Sequence, residues 1–274
     1  MNRRLSFGDV LAVVERVPDL SGIVLVGGQA LNFWAERLGI ASADTAGLYG
    51  PALSDDIDFL GSARAALAFG EATGGNVAVA GMEDAHSPNT ALVTLDIEGE
   101  KHLIDFLDGM KGFSAQELER VKQWAVPLTL PRGTPRPLYV MHPVHCLEAQ
   151  LENVYGSALN RRDEPGGERY IGRIELAIEA CRRIGDRHLT DGQARSALRL
   201  AEKVHELSML PSAMRARFAD GVRVERGMPD ASTMPADFRD KRLPQLRDQL
   251  ERVARRYERT HKGIHDNGGE EKSK

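Results

Sequence analysis

Residues 22–39 read GIVLVGGQALNFWAERLG, and residues 53–61 read LSDDIDFLG. The first stretch is a β-branched run closing on Gly27 and Gly28, followed by good helix formers that stop at Gly39. It predicts strand, tight turn and helix in succession. The second places Asp56 and Asp58 two residues apart on a predicted strand, so their side chains share one face. Asp55, Ile57 and Phe59 point the other way, and the two apolar members there fit a core. Neighbouring carboxylates repel, and burying them without a counter-ion is costly. A cation between them is therefore expected. Mg²⁺ suits, because it takes one or two carboxylates and leaves its other positions to water and substrate phosphates.

A third stretch, HLIDFLDG (102–109), sets Asp105 between Ile104 and Phe106. If this strand lies beside the 57–61 strand, Asp105 completes a three-carboxylate cluster of the kind a two-metal phosphoryl-transfer site uses. The glycine pair lets backbone approach a phosphate closely, with the helix N-terminus adding partial positive charge. Each signal alone is common, since GG often marks a plain turn and DxD often marks two exposed acids. Their order is more specific: strand–GG–helix, DxD on the next strand, then an acid between apolar residues.

Working outward, residues 5–16 have helical spacing, 40–54 are turn-prone, and Ser62 is the expected N-cap of a helix over SARAALAFGEA. Strands are expected at 76–80, 91–97 and 101–107, with EGE (98–100) as a hairpin turn. A short helix is expected over 114–123, with strand-like WAVPLTL and LYVM after it. From His142 onward strand patterns nearly vanish. Helices are expected over HPVHCLEAQLENVYGSAL, RYIGRIELAIEACRRIG, DGQARSALRLAEKVHELSML and about 235–262. The expected organisation is a mixed α/β unit over 1–141, a helical domain over 142–262 with RRDEPGGE (161–168) as a linker, and a disordered tail over 263–274.

The chain has 274 residues, 42% of them apolar, enough for a sizeable core. No apolar run reaches the roughly 18 residues of a membrane helix. The basic N-terminus is interrupted by Asp9, Glu15 and Arg16, so it reads as an amphipathic helix rather than a signal peptide. A cytoplasmic location with no membrane partner is expected. Cys146 and Cys181 belong to no CxxC pair and read as buried free thiols. With 36 basic and 40 acidic residues, attraction to nucleic acid would have to be local.

One such place is 241–262, where eight basic residues face three acidic ones. Arg252, Arg255, Arg256 and Arg259 recur there at helical spacing, either as a phosphate-backbone footprint or as a solvated face. Lys101 and Lys111 flank the third acidic stretch and are candidate phosphate ligands or plain surface lysines. His142 and His145 with Glu148 and Glu152 could bind metal. A helix cap followed by a solvated face is the preferred reading, with Gln150 and Asn153 reaching towards the nucleotide cleft.

VGGQALNFWAERLG, LSDDIDFLG and HLIDFL together resemble the three motifs of the polymerase-beta-type nucleotidyltransferase superfamily, closest to its minimal branch of AbiEii-like toxins. The resemblance covers residues 20–110 well and the remainder loosely. It implies an α/β (α+β) fold, a nucleotidyltransferase-type mixed sheet flanked by helices, with a helical C-terminal domain. It further implies that Gly27 and Gly28 contact a triphosphate, that Asp56 and Asp58 bind two Mg²⁺ (or Mn²⁺) ions, and that Asp105 binds the catalytic one. The expected reaction moves a nucleoside monophosphate from an NTP to an acceptor. The acceptor expected is a nucleic-acid end such as tRNA, in a toxin or phage-defence setting with a cognate antitoxin or effector protein. Template-free synthesis of a signal oligonucleotide, or an inactive binding module of the same fold, are the alternatives. Two departures stand out. The gap from Gly28 to Asp56 is long, making 40–54 an insertion. In addition, Arg161, Arg162 and Asp163 only partly echo the RDxxD-like motif of the toxins.

Overall fold

The structure, a computed structural model, describes residues 5–41, 56–81, 88–130, 137–156 and 167–265. Helix α1 (Phe7–Val14) begins in a capping box, in which the Ser6 side chain accepts from the Asp9 backbone and the Asp9 carboxylate accepts from the Ser6 N–H. Strand β1 (Val24–Val26) passes directly into α2 (Gly27–Leu38). Gly27 makes that switch with a φ of 64°, a region open to glycine, and Gly39 ends the helix in the same left-handed region.

Strand β2 (Ile57–Leu60) leads to α3 (Ala63–Thr73), capped by Ser62 as expected. Strands β3 (Asn76–Val79), β4 (Asn89–Ile97) and β5 (Glu100–Leu107) follow. The β4–β5 hairpin turns on Glu98 and Gly99, both at positive φ, which matches the twist of the strands. Helix α4 (Ala115–Trp124) then connects to β6 (Val126–Thr129) and β7 (Pro137–Val140). The seven strands form one mixed sheet in the order β3-β4-β5-β2-β1-β7-β6. Two pairings, β2 with β5 and β1 with β7, are parallel, and the others are antiparallel.

Helices α5 (Pro143–Tyr155), α6 (Gly167–Thr190), α7 (Ala194–Ser208), α8 (Pro211–Asp220) and α9 (Leu243–His265) complete the chain. Short 3-10 turns at Val224–Gly227 and Ala231–Thr233 and a π-helical turn at Phe238–Arg242 lie between α8 and α9. The sequence reading leaves α8 unassigned, although Pro211 at its first turn and left-handed Gly221 at its end are helix punctuation. Among the described residues every strand precedes residue 142 and only helices follow it. A single buried apolar cluster nevertheless runs across that point, from Leu5 to Val224.

The sheet has two unlike faces. Ile57, Phe59, Ile104 and Phe106 are fully buried, as expected for Ile57 and Phe59. Phe59, Phe106 and Phe69 of α3 form a ring cluster with centroids 5.5–5.6 Å apart. Each such buried ring contributes roughly 1.5–3 kcal/mol, which locks the strands in register. The alternate residues of β2 and β5, Asp58 and Asp105 among them, therefore turn to the opposite face.

One expectation is corrected. The face of α5 is not solvated: His145, Glu148 and Gln150 are all buried, because α6, α7 and α8 pack around the helix. His142 does cap α5, accepting the Val144 N–H on Nδ1. Cys146 and Cys181 are buried free thiols, pushed up in pKa by desolvation. Among the described residues no helix is long and apolar enough to cross a membrane. The expected 42–54 part of the loop, the Arg161–Asp163 echo and the tail beyond His265 lie outside the described residues.

Candidate metal centre

Parallel pairing of β2 and β5 sets Asp58 directly opposite Asp105, and Asp56 stands one residue before β2 begins. Carboxylate oxygens of Asp56, Asp58 and Asp105 all lie within 4.8 Å of one another. Among the described residues this is the one group of three or more metal-capable side chains. The three signals quoted from the sequence therefore converge because register, not proximity in the chain, brings residue 105 to residue 58.

The electrostatics of the cluster are unfavourable as it stands. Desolvation pushes Asp58 up to about 8, with the charges of Asp56 and Asp105 adding to the rise and Arg173 opposing it. Asp105 is also raised, by burial first and by Asp56 second. Asn89 Nδ2 donates to Asp105 Oδ1 at 2.8 Å, which orients that carboxylate and partly offsets the rise. A divalent cation would reverse the balance, since it favours the ionised form of every carboxylate it touches. The donor set is all carboxylate oxygen, which fits a hard divalent cation rather than a softer ion.

Gly27 has a second reason to be glycine. A Cβ there would overlap the Asp58 carboxylate, so any side chain would displace that group. Val26 precedes the helix as N-cap and offers no side-chain cap, so the partial positive charge of the first turn of α2, with Gly27 and buried Gly28, faces the Asp58 carboxylate. The acids and the glycine pair thus meet at the end of β1, where Val26 opposes Asp58.

Other candidates lie elsewhere. Lys101 shares a face with Asp105 on β5 but is four residues away, about 13 Å along the strand. It is exposed beside the hairpin turn, opposite Asp96. Lys111 is exposed beyond the other end of β5. His142 and His145 do not join the acids. Burial holds His142 down at about 3, and His145 Nδ1 pairs with Glu148 Oε2 at 3.2 Å. Arg252, Arg255, Arg256 and Arg259 are exposed on α9. Two residues that the sequence reading passes over do belong to the site, Asn89 on β4 and Arg173 on α6. Asn89 lies two residues before the strand expected at 91–97, and nothing in the sequence marked it, because β4 begins earlier than its apolar pattern does. No family model, curated protein or solved structure matches the chain.

Proposed function

We propose that the chain is a divalent-metal-dependent nucleotidyltransferase of the polymerase-beta type, moving a nucleoside monophosphate from an NTP to an acceptor hydroxyl. The carrying observation is the convergence of Asp56, Asp58 and Asp105 beside an uncapped helix N-terminus that begins with two glycines. Asp56 and Asp58 would hold two cations jointly and Asp105 the one nearer the acceptor. Bound there, the cations would screen the triphosphate and acidify the acceptor hydroxyl. The amides of Gly27 and Gly28 would receive phosphate oxygens, and Asn89 would keep Asp105 turned to the site. The acceptor hydroxyl gives up its proton to solvent, its oxygen bonds to the α-phosphorus, the bridging bond to the β-phosphate breaks, and pyrophosphate leaves with the electron pair.

The acceptor favoured is a nucleic-acid end such as tRNA, on the strength of the exposed α9 arginines, in a toxin or phage-defence role. The test incubates the protein with each labelled NTP, Mg²⁺ and total RNA. Label should move to RNA in the wild type. Asp56→Ala and Asp58→Ala should each abolish transfer while keeping the fold, because each removes a ligand and also relieves repulsion. Full activity in excess EDTA, or variants within about tenfold of wild type, would overturn the assignment. Products that lengthen without any added primer would instead identify an oligonucleotide synthase.

A further inference from the structure

Helix α6 lies alongside α2, and two anchor points fix its direction. At one end Arg183 Nη1 donates to the carbonyls of Leu38 and Gly39, both at 3.0 Å, and Arg187 Nη2 donates to that of Arg37. These carbonyls close the C-terminal end of α2. Ten residues earlier on α6, about 15 Å along the axis, is Arg173. Its charge acts on Asp58, whose carboxylate rests against Gly27 at the N-terminal end of α2. The two helices therefore run parallel, and α6 delivers an arginine to the level of the first turn of α2. Arg173 is half-buried and comes from beyond the sheet, far in sequence from the carboxylates it faces.

We propose that Arg173 is the phosphate-binding cation of this site, which stands as counter-ion to the acids until a metal–polyphosphate chain arrives and then bonds that chain. The proposal rests on the nucleotidyltransferase reading and adds to it the residue that recognises the substrate's phosphates. Three carboxylates can bind metal but cannot bind a polyphosphate of the same sign; some fixed positive group has to face the far side of the chain. A planar guanidinium suits this, because it offers paired donors to phosphate oxygens and stays charged at any working pH. The first-turn amides of α2 and the Arg173 guanidinium would then grip the phosphates from two sides. The fit depends on α2 and α6 keeping their alignment, which the Arg183 bonds at the other end maintain.

The experiment separates metal binding from phosphate binding, with no turnover in either readout. Mn²⁺ alone, and inorganic tripolyphosphate in the presence of Mg²⁺, are titrated into wild type, Arg173→Ala and Arg173→Lys. Arg173→Ala should bind Mn²⁺ at least as tightly as wild type, since a competing positive charge is gone. Its tripolyphosphate affinity should fall at least about tenfold, the usual loss for a charge-assisted hydrogen bond, with Arg173→Lys between the two. Equal tripolyphosphate affinity in wild type and Arg173→Ala would overturn the inference and leave the enzyme reading standing. Loss of Mn²⁺ binding together with a lower melting temperature in Arg173→Ala would also overturn it, making the residue a structural counter-ion. Wild type that binds no tripolyphosphate with Mg²⁺ would overturn the enzyme reading itself.

Discussion

Asp58 combines the main residue-scale forces of the site: desolvation, like charge from two neighbours, an opposing arginine and contact with Gly27. These make a pH prediction with a definite sign. Its carboxyl titrates at about 8 in the folded protein, against an ordinary 3.8. Between those values the folded protein holds a proton that the unfolded chain releases, so the contribution of Asp58 to stability is fully present below 3.8 and is lost as pH rises towards about 8. Asp105 is shifted the same way and adds to the slope. In metal-free buffer the melting temperature should fall by several degrees across that window, Asp58→Asn should flatten the fall, and saturating Mg²⁺ should remove it. A metal-free wild type whose melting point does not move would show that the carboxylates are solvated. At this scale much was legible in the sequence. Alternation on a strand placed Asp56 and Asp58 together, and an acid between Ile104 and Phe106 marked the third candidate ligand. Asn89 and Arg173 were not legible, since their nearness to the acids depends on β4–β5 register and on helix packing.

Among the elements, α5 shows where local reading fails. Histidines and glutamates three and four apart look like a wet helix face, because spacing along one helix says nothing about what covers it. Three later helices do cover it, and its two glutamates are held there by pairing, while His145 Nε2 is buried without a hydrogen-bond partner. Glu148 bonds His145 Nδ1 with one carboxylate oxygen and Lys203 Nζ of α7 with the other, at 3.2 and 3.4 Å. Glu152 accepts from Ser212 of α8 at 2.6 Å. Removing one member of a buried charged set strands the rest. Glu148→Ala should therefore destabilise the protein by about 3–5 kcal/mol, read from denaturant unfolding, and Glu148→Gln by less. A cost under about 1 kcal/mol for Glu148→Ala would mean that water already reaches the trio. The elements carrying the candidate ligands were easier to read, because β1, β2 and β5 are short β-branched or aromatic runs bounded by turn residues. Their order in the sheet was not readable, as nothing local to β2 says that β5 lies beside it in parallel.

At the scale of the whole molecule, charge is nearly balanced, so no global field draws the chain to a polyanion. Any nucleic-acid acceptor must be held by a local surface, and α9 supplies the candidate. Leu246, Leu250 and Ala254 bury one side of that helix, the last two against Met214 of α8. Arg252, Arg255, Arg256 and Arg259 repeat at three- and four-residue spacing on another side and stay exposed. Their spacing was legible in the sequence; their exposure follows only from how α9 packs. If this ridge guides the acceptor, neutralising all four arginines should weaken RNA binding at every sequence tested. Each lost phosphate contact should flatten the slope of log K against log salt by roughly one unit. Tripolyphosphate affinity with Mg²⁺ should stay within about twofold, because the carboxylates and the first turn of α2 are built from other elements. RNA binding and salt slope that remain unchanged in the four-fold variant would make α9 an ordinary solvated face. Transfer activity retained alongside that result would mean the acceptor is held at another surface or is not a nucleic acid.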